Sequence, residues 1–346
     1  MSPQIRPPTR PVLASLATTG DHTSAVVVAH GRFLPVERLL PEAPRSLNAL
    51  VGSWADLGSQ VTAVLDAPET EHRLHAAGHI LDTTQVRSPV SSGQTYCAIG
   101  NYRQQLVEAA LDARPPEDRR DARAVRAELE DQWRTRRATG APYVALTGTT
   151  RIGDPTGELT LPRTLTTVDW EVEIAAVIGR RGWQLRPSEA LDVVAGYCVA
   201  NDLTRRDTVF RTDTPAFGTD WLACKGLPGS LRLGPWLVPA AHIPDPDDLS
   251  LELRLNGRTM QSGHSSDMLY SVAEVISHIS MHTNLEPGDV VCTGSPAGFG
   301  SHYGRFLQHG DRIEARVDFL GTQTLSVSVD EHQKCHVRSP AATPLP

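Results

Sequence analysis

Residues 170–179 read Trp-Glu-Val-Glu-Ile-Ala-Ala-Val-Ile-Gly. Positions two apart in a β-strand point to the same face, so Glu171 and Glu173 project side by side from an otherwise apolar strand. Neighbouring carboxylates repel, and burial strengthens the repulsion. A hard cation taking oxygen ligands resolves the conflict. The other reading is a half-exposed strand whose glutamates face water. The run Ile174 to Ile178 has no polar alternation, which weighs against that reading without removing it.

Downstream, residues 196–207 (GYCVANDLTRRD) give a short apolar strand ending in a carboxylate, followed by a polar turn with two arginines. Strand ends are where a rigid sheet commonly presents site residues. Asp202 is placed to supply a third oxygen ligand, and Arg206 to hold a substrate carboxylate through its bidentate fork. A surface Arg–Asp pair closing the strand explains the same residues equally well. Lys225 lies between apolar residues and a Gly/Pro turn in WLACKGLPGS, an unusual setting for a merely solubilising lysine. An ammonium there would stabilise the negative oxygen of an enolate. Residues 293–300 (TGSPAGFG) follow the strand-like DVVC. They offer backbone N–H groups and the Thr293 hydroxyl to an anion. With no helix expected after it, the loop is not a dinucleotide fingerprint.

Around this stretch, from Pro142 onward, strand-like runs (YVAL, LELRLNG, RIEARVDF, TLSVSV) alternate with Gly and Pro turns. Asn256-Gly257 between two runs signals a hairpin. Ser271 and Glu274 make a capping box, and Val272, Val275, Ile276 and Ile279 supply the apolar stripe of the helix that follows. Many strands and few helices, without βαβ alternation, point to an α+β domain. Residues 104–137 are rich in Ala, Arg and Glu and read as one or two surface helices broken at Pro115 and Pro116, either a solvated excursion or a lid. Upstream, SAVVVAHGRFLPV reads as two strands around a Gly turn and residues 41–81 as helical pieces. Residues 1–11 and 338–346 read as loose tails.

Composition narrows the function. The chain has 346 residues, 40% of them apolar, and a formal net charge of −7. It carries no basic footprint for nucleic acid and no apolar run near the roughly 20 residues that span a bilayer. The polar, Pro-rich start lacks the apolar segment of a secretory signal. Cys97, Cys198, Cys224, Cys292 and Cys335 are scattered without a CxxC, so neither a zinc site nor a disulfide framework is expected, and a cytoplasmic setting fits. His72, His75 and His79 fall along one helical face, as do His278 and His282. Without an adjacent acid of zincin type, both groups read as solvated or core-edge histidines.

Taken together, the order and spacing of VDWEVEIAAVIGRRG, VAGYCVANDLTRRD, LGPWLVPA and the long run from LELRLNG to GSPAGFG closely resemble the fumarylacetoacetate hydrolase superfamily. The resemblance covers about residues 140–328 and reaches faintly back to Tyr96. It implies a mixed β-sandwich roll, with residues 1–90 as a variable N-terminal region, 91–338 as the catalytic domain carrying a charged helical insertion near 104–140, and 339–346 as a tail. It also implies a homodimer and Mg²⁺ (or Mn²⁺ or Ca²⁺) on Glu171, Glu173 and Asp202. Lys225, Arg206, Tyr102, Thr293 and Gly294 match positions that meet a small 2-oxo acid.

The metal then acts as a Lewis acid on the enolate left when a bond β to the keto group breaks. The chemistry implied is hydrolysis of a C–C bond in a 2-oxo or 1,3-diketo acid. A lyase of the same fold (hydratase, dehydratase or decarboxylase) and a non-catalytic metal-binding member are the alternatives. Family hydrolases activate water with a His followed three residues later by Glu, after Asn-Tyr. In GNYRQQLVEA, Gln105 stands at the histidine position while Glu108 is retained. Gln cannot act as a base near neutral pH, so Glu108 alone, or His302 beyond the Gly-rich loop, is expected in that role. The family's FLKP lysine is also missing from YVALTG.

Overall fold

The structure is a computed structural model that describes residues 5–20, 22–115 and 117–330. The expected C-terminal tail from residue 338, Cys335 and Pro116, read as a helix breaker, lie outside the described residues.

The strand Val172–Ile178 runs antiparallel to Val194–Asp202 on one side and to Val290–Cys292 on the other. It occupies the middle of an eight-stranded mixed sheet. Cys292 pairs in parallel with Cys97 of Thr95–Ile99, which in turn pairs with Tyr143–Thr147. On the far side, Leu231–Leu233 joins the end of Val194–Asp202 and pairs in parallel with Ile152–Gly153.

This central position explains the unbroken apolar run. Ile174, Ala176 and Ile178 belong to one core with Leu251, Leu253, Ile313, Ala315 and Leu325. These come from a five-stranded sheet of Arg258–His264, Ser250–Leu255, Arg312–Val317, Gly321–Asp330 and Thr156–Pro162. Ala175 and Val177, one residue out of phase, belong to a second core with Leu13, Val27, Leu47, Leu50 and Trp54. A strand covered on both faces needs no polar positions, and the glutamates at its start are therefore the exception to be explained.

The second core is built by the N-terminal region, which contributes a five-stranded antiparallel sheet and the helices Leu47–Gly52, Trp54–Asp66 and Pro68–Ala77. Its hairpin turns through His30 and Gly31, both at positive φ (51° and 73°), the conformation a two-residue hairpin needs. Three expectations are corrected here. Residues 5–11 are not loose, since Ile5 is buried in the main core and His30 donates its N–H to the Pro8 carbonyl at 2.8 Å. His79 does not share a helix with His72 and His75, because it lies in the short strand His79–Ile80, its ring 5.4 Å from that of Phe33. A one-turn helix, Gly300–Tyr303, does follow the Gly-rich loop.

The charged segment forms two helices, Arg103–Asp112 and Ala122–Thr139, with Pro115 in the gap between them. Asn256 and Gly257, at φ 52° and 82°, close the Ser250–Leu255/Arg258–His264 hairpin. The helix Val272–Ser280 starts at the Ser271–Glu274 capping box and buries Val272, Val275, Ile276 and Ile279. No helix among the described residues is long and apolar enough to cross a membrane. Cys97, Cys198, Cys224 and Cys292 are free and buried.

Candidate metal centre

Sheet geometry assembles the carboxylates. Val172 is paired with Asn201, and the next step of that register brings Glu171 opposite Asp202, whose N–H donates to the Glu171 carbonyl at 2.9 Å. Directly opposed residues have Cβ atoms roughly 5 Å apart, and Glu173 stands two positions on, on the same face. One carboxylate oxygen from each of Glu171, Glu173 and Asp202 lies within 4.8 Å of the others, and all three residues are buried. The half-exposed reading of Glu-x-Glu is thereby overturned.

Such a cluster is unfavourable without positive charge. Burial first, then the charges of Asp202 and Glu171, hold the Glu173 carboxyl well above the usual carboxylate range. Asp202 behaves oppositely: burial alone would raise it, but Arg151 and Lys225 outweigh that and hold it low. Three buried oxygen donors converging within 4.8 Å of one another suit a hard divalent cation. The buried carboxyl of Glu173 is the donor that such an ion would deprotonate.

Three cations surround the triad. Lys225 ends the helix Trp221–Lys225, whose first turn is capped by Asp220. Its Nζ donates to Asp202 (2.7 Å), Glu171 (3.1 Å) and the Thr204 hydroxyl (2.8 Å). Two carboxylates and one hydroxyl thus engage its three donors, where the sequence suggested an ammonium held for an enolate oxygen. Arg206 turns Nε to Asp169 (2.8 Å) and Nη2 to Glu171 (2.7 Å) beneath the ring of Phe299. The fork expected to grip a substrate carboxylate is therefore braced on protein carboxylates along those two edges. The pair with Asp207 is formed by Arg205 instead, and Arg205 is itself buried.

Arg151, which sequence reasoning missed, is fully buried with its Nη2 on Asp202 and its Nη1 3.4 Å from the Cys97 sulfur. It ends the short turn Thr149–Arg151 that follows the strand Tyr143–Thr147. Asp169, just before Trp170-Glu171, was also missed, although its place in VDWEVE puts it two residues from Glu171.

The Gly-rich loop also differs from expectation. The Thr293 N–H and hydroxyl both donate to the Ile174 carbonyl at 3.1 Å. Gly294 N–H donates to Glu173 at 2.8 Å, while Gly300 and Ser301 N–H groups donate to Asp169. The loop thus orients the centre's own carboxylates instead of holding its donors open for an anion. Asn101 locks it from behind through the Thr293 and Tyr270 carbonyls. Tyr102 is sealed in the core, and its hydroxyl has no hydrogen-bond partner among the described residues. Burial and then the charge of Glu173 push that phenol well above its ordinary value.

Gln105 and Glu108 lie one turn apart on the helix Arg103–Asp112. Gln105 is half-buried. Glu108 accepts from the Gly298 N–H at 2.8 Å, and its second oxygen lies 3.7 Å from the His302 ring.

The family model described as fumarylacetoacetate (FAA) hydrolase C-terminal matches residues 94–328, more than half of the chain. The chain belongs to the fumarylacetoacetate hydrolase family. A 2,4-didehydro-3-deoxy-L-rhamnonate hydrolase of Sphingomonas sp. (strain SKA58) is 36% identical over 194 residues, 55% of this chain and 66% of that protein. The match thus spans just under two thirds of that relative. A fumarylpyruvate hydrolase from Pseudomonas aeruginosa, solved in complex with Mn²⁺ and pyruvate, is 26% identical with a TM-score of 0.55, over 71% of this chain and 92% of its own. Fumarylacetoacetate hydrolase from Exiguobacterium antarcticum covers 92% of this chain and all of its own with a TM-score of 0.70 at 24% identity. That last likeness establishes the α+β fold.

Proposed function

We propose that this protein is a divalent-metal-dependent hydrolase cleaving a C–C bond of a small 2-oxo or 1,3-diketo acid, with Mg²⁺ or Mn²⁺ held by Glu171, Glu173 and Asp202. The observation that carries the reading is the charge balance of the centre. Asp169, Glu171, Glu173 and Asp202 face the three cations Arg151, Arg206 and Lys225. With Glu173 protonated the charges cancel. With Glu173 ionised and a divalent ion bound, one positive charge is left over, which a monocarboxylate substrate neutralises. The Mn²⁺ and pyruvate of the Pseudomonas relative are consistent with that combination.

Bound there, the ion supplies Lewis-acid charge to a keto oxygen. Arg151 and Lys225 hold Asp202 in place and keep it ionised. Arg206 has the most exposed side chain of the three cations (20%, against 2% for Lys225 and 0% for Arg151), so its charge is the one a substrate carboxylate meets. The Thr293–Gly300 loop is joined to the helix Arg103–Asp112 by the Gly298 N–H on Glu108. A homodimer belongs to this reading.

A lyase acting on a related 2-oxo acid is favoured by one observation, Gln105 at the position of the water-activating histidine. The test is ultraviolet loss of the enol band of acetylpyruvate, a longer acylpyruvate and oxaloacetate, each with Mg²⁺, Mn²⁺ or EDTA. Metal-dependent release of a carboxylic acid and a 2-oxo acid supports the hydrolase. Carbon dioxide release alone supports the lyase.

A further inference from the structure

Gln105 leaves the hydrolase reading without a base for water, yet the fold brings a histidine to the same glutamate from another direction. His302 sits on the one-turn helix Gly300–Tyr303. Its Nδ1 lies 3.0 and 2.9 Å from the two carboxylate oxygens of Asp112, and its Nε2 lies 3.7 Å from Oε2 of Glu108. Asp112 and Glu108 are one turn apart on the helix Arg103–Asp112, so both present to the same side. The ring is further fixed edge-on against Tyr303, with centroids 4.9 Å apart.

The segment Thr293–Tyr303 ties this cluster to the metal centre. Near one end Gly294 N–H holds Glu173, in the middle Gly298 N–H holds Glu108, and Gly300 N–H holds Asp169, the partner of Arg206.

Resting on the hydrolase reading above, we propose that His302, oriented by Asp112 and paired with Glu108, is the group that activates water in this protein. Asp112 accepts the Nδ1 proton, which fixes the tautomer and leaves Nε2 as an acceptor. A separation of 3.7 Å is too long for a hydrogen bond between Nε2 and Oε2, but it lets both reach one water at about 2.8 Å. Two acceptors then orient that water's hydrogens and leave its lone pairs free.

In the step proposed, the water oxygen bonds to the distal carbonyl carbon of a 1,3-diketo acid while one water proton passes to Nε2. The adjoining C–C bond breaks, and its electron pair goes to the 2-oxo acid half as an enolate. The imidazolium then returns its proton to that carbon. One carboxylic acid and one 2-oxo acid are formed, and His302 ends neutral. Asp112 acts as a positioning residue.

The test compares wild type with His302→Ala in the full chain, measuring acylpyruvate hydrolysis and, separately, binding of Mn²⁺ and of oxalate to the Mn²⁺ form. We expect binding to be retained and turnover to fall about 10²- to 10⁴-fold, the span of general base catalysis. Added imidazole should restore part of the loss, since the His302 side chain is 37% exposed. Asp112→Asn should lower kcat with little change in KM. His302→Ala turnover within about threefold of wild type, well below the span of a lost base, overturns this inference and leaves the hydrolase reading standing. A loss of turnover accompanied by loss of Mn²⁺ and oxalate binding assigns His302 a structural role and also overturns it. A wild type that hydrolyses no acylpyruvate overturns the hydrolase reading and this inference together.

Discussion

The backbone N–H of Asp202 donates to the carbonyl of Glu171 at 2.9 Å, and this pairing makes neighbours of two carboxylates that lie far apart in sequence. Asp202 is placed by strand register, not by a flexible loop, so its distance to Glu171 is fixed by the same bonds that hold the sheet. Lys225 then spans both carboxylates, with Nζ 2.7 Å from one and 3.1 Å from the other.

Metal affinity should depend on pH through Glu173. Burial and the neighbouring Asp202 and Glu171 charges raise its folded pKa well above the ordinary 4.5. A raised folded pKa contributes stability that is complete below the unfolded value and is lost as pH rises through the folded one. The Tm of the metal-free protein should therefore fall across that interval. Mn²⁺ affinity should climb by up to about tenfold per pH unit over the same range, with one proton released per ion. Calorimetry in two buffers of different ionisation enthalpy measures the proton count; an affinity independent of pH would contradict the assignment.

The Arg151–Asp202 pair should behave as a buried unit. Asp202→Asn leaves Arg151 and Lys225 without a shared counter-charge, and removing one partner of a buried pair costs about 3–5 kcal/mol. Arg151→Met should be costly for the complementary reason. Because the two contact each other, their effects should not add: the double variant is expected to be more stable than the sum of the single losses by about 1–3 kcal/mol. Urea unfolding of the four proteins closes the cycle, and simple additivity would mean that the ion pair holds nothing in place.

Gly300 is a sensitive point of the loop. A Cβ there would come 2.2 Å from the Arg305 carbonyl and 2.7 Å from Oδ1 of Asp169. Gly300→Ala should displace Asp169 and slacken its hold on Arg206. A hydrogen bond to a charged group is worth about 1.5–3 kcal/mol, so KM for the 2-oxo acid should rise about tenfold or more. Circular dichroism should show the fold intact, and an unchanged KM would separate Asp169 from substrate binding.

Ser271→Ala provides a control on the fold alone. It removes the side-chain acceptor of the capping box, which typically costs about 1 kcal/mol. Equilibrium unfolding should register that loss while Mn²⁺ binding stays at the wild-type value.

What the sequence disclosed and what it hid divide along a physical line. Glu171, Glu173 and the end of the strand at Asp202 were legible because two-residue periodicity and an unbroken apolar run are local properties. Asn256-Gly257 and Ser271…Glu274 were legible because turn and cap chemistry is local too. The buried strand Val12–Ala17, which anchors the N-terminal sheet by pairing with Thr23–Ala29, is less legible, since its six residues VLASLA are short, hold two alanines and a serine, and adjoin the Pro-rich stretch that reads as a tail.

Arg151 and Asp169 were invisible as site residues for a related reason. Their importance comes from Asp202 and Arg206, which reach them only through tertiary packing. The same holds for the donors of Thr293 and Gly294. A sequence shows that a glycine-rich loop has N–H groups to offer, but not that the Ile174 carbonyl and the Glu173 carboxylate already accept them.

The central claim is that Glu171, Glu173 and Asp202 together hold one divalent cation, and direct binding of Mn²⁺ to wild type and to Glu173→Gln tests it most closely. Gln keeps an acceptor for the Gly294 N–H and the volume of the side chain, so the folded protein should survive the change. The account predicts one Mn²⁺ per chain in wild type by paramagnetic resonance titration, and loss of that binding in Glu173→Gln. A wild type that binds no Mn²⁺, or a variant that binds it equally well, would contradict the account.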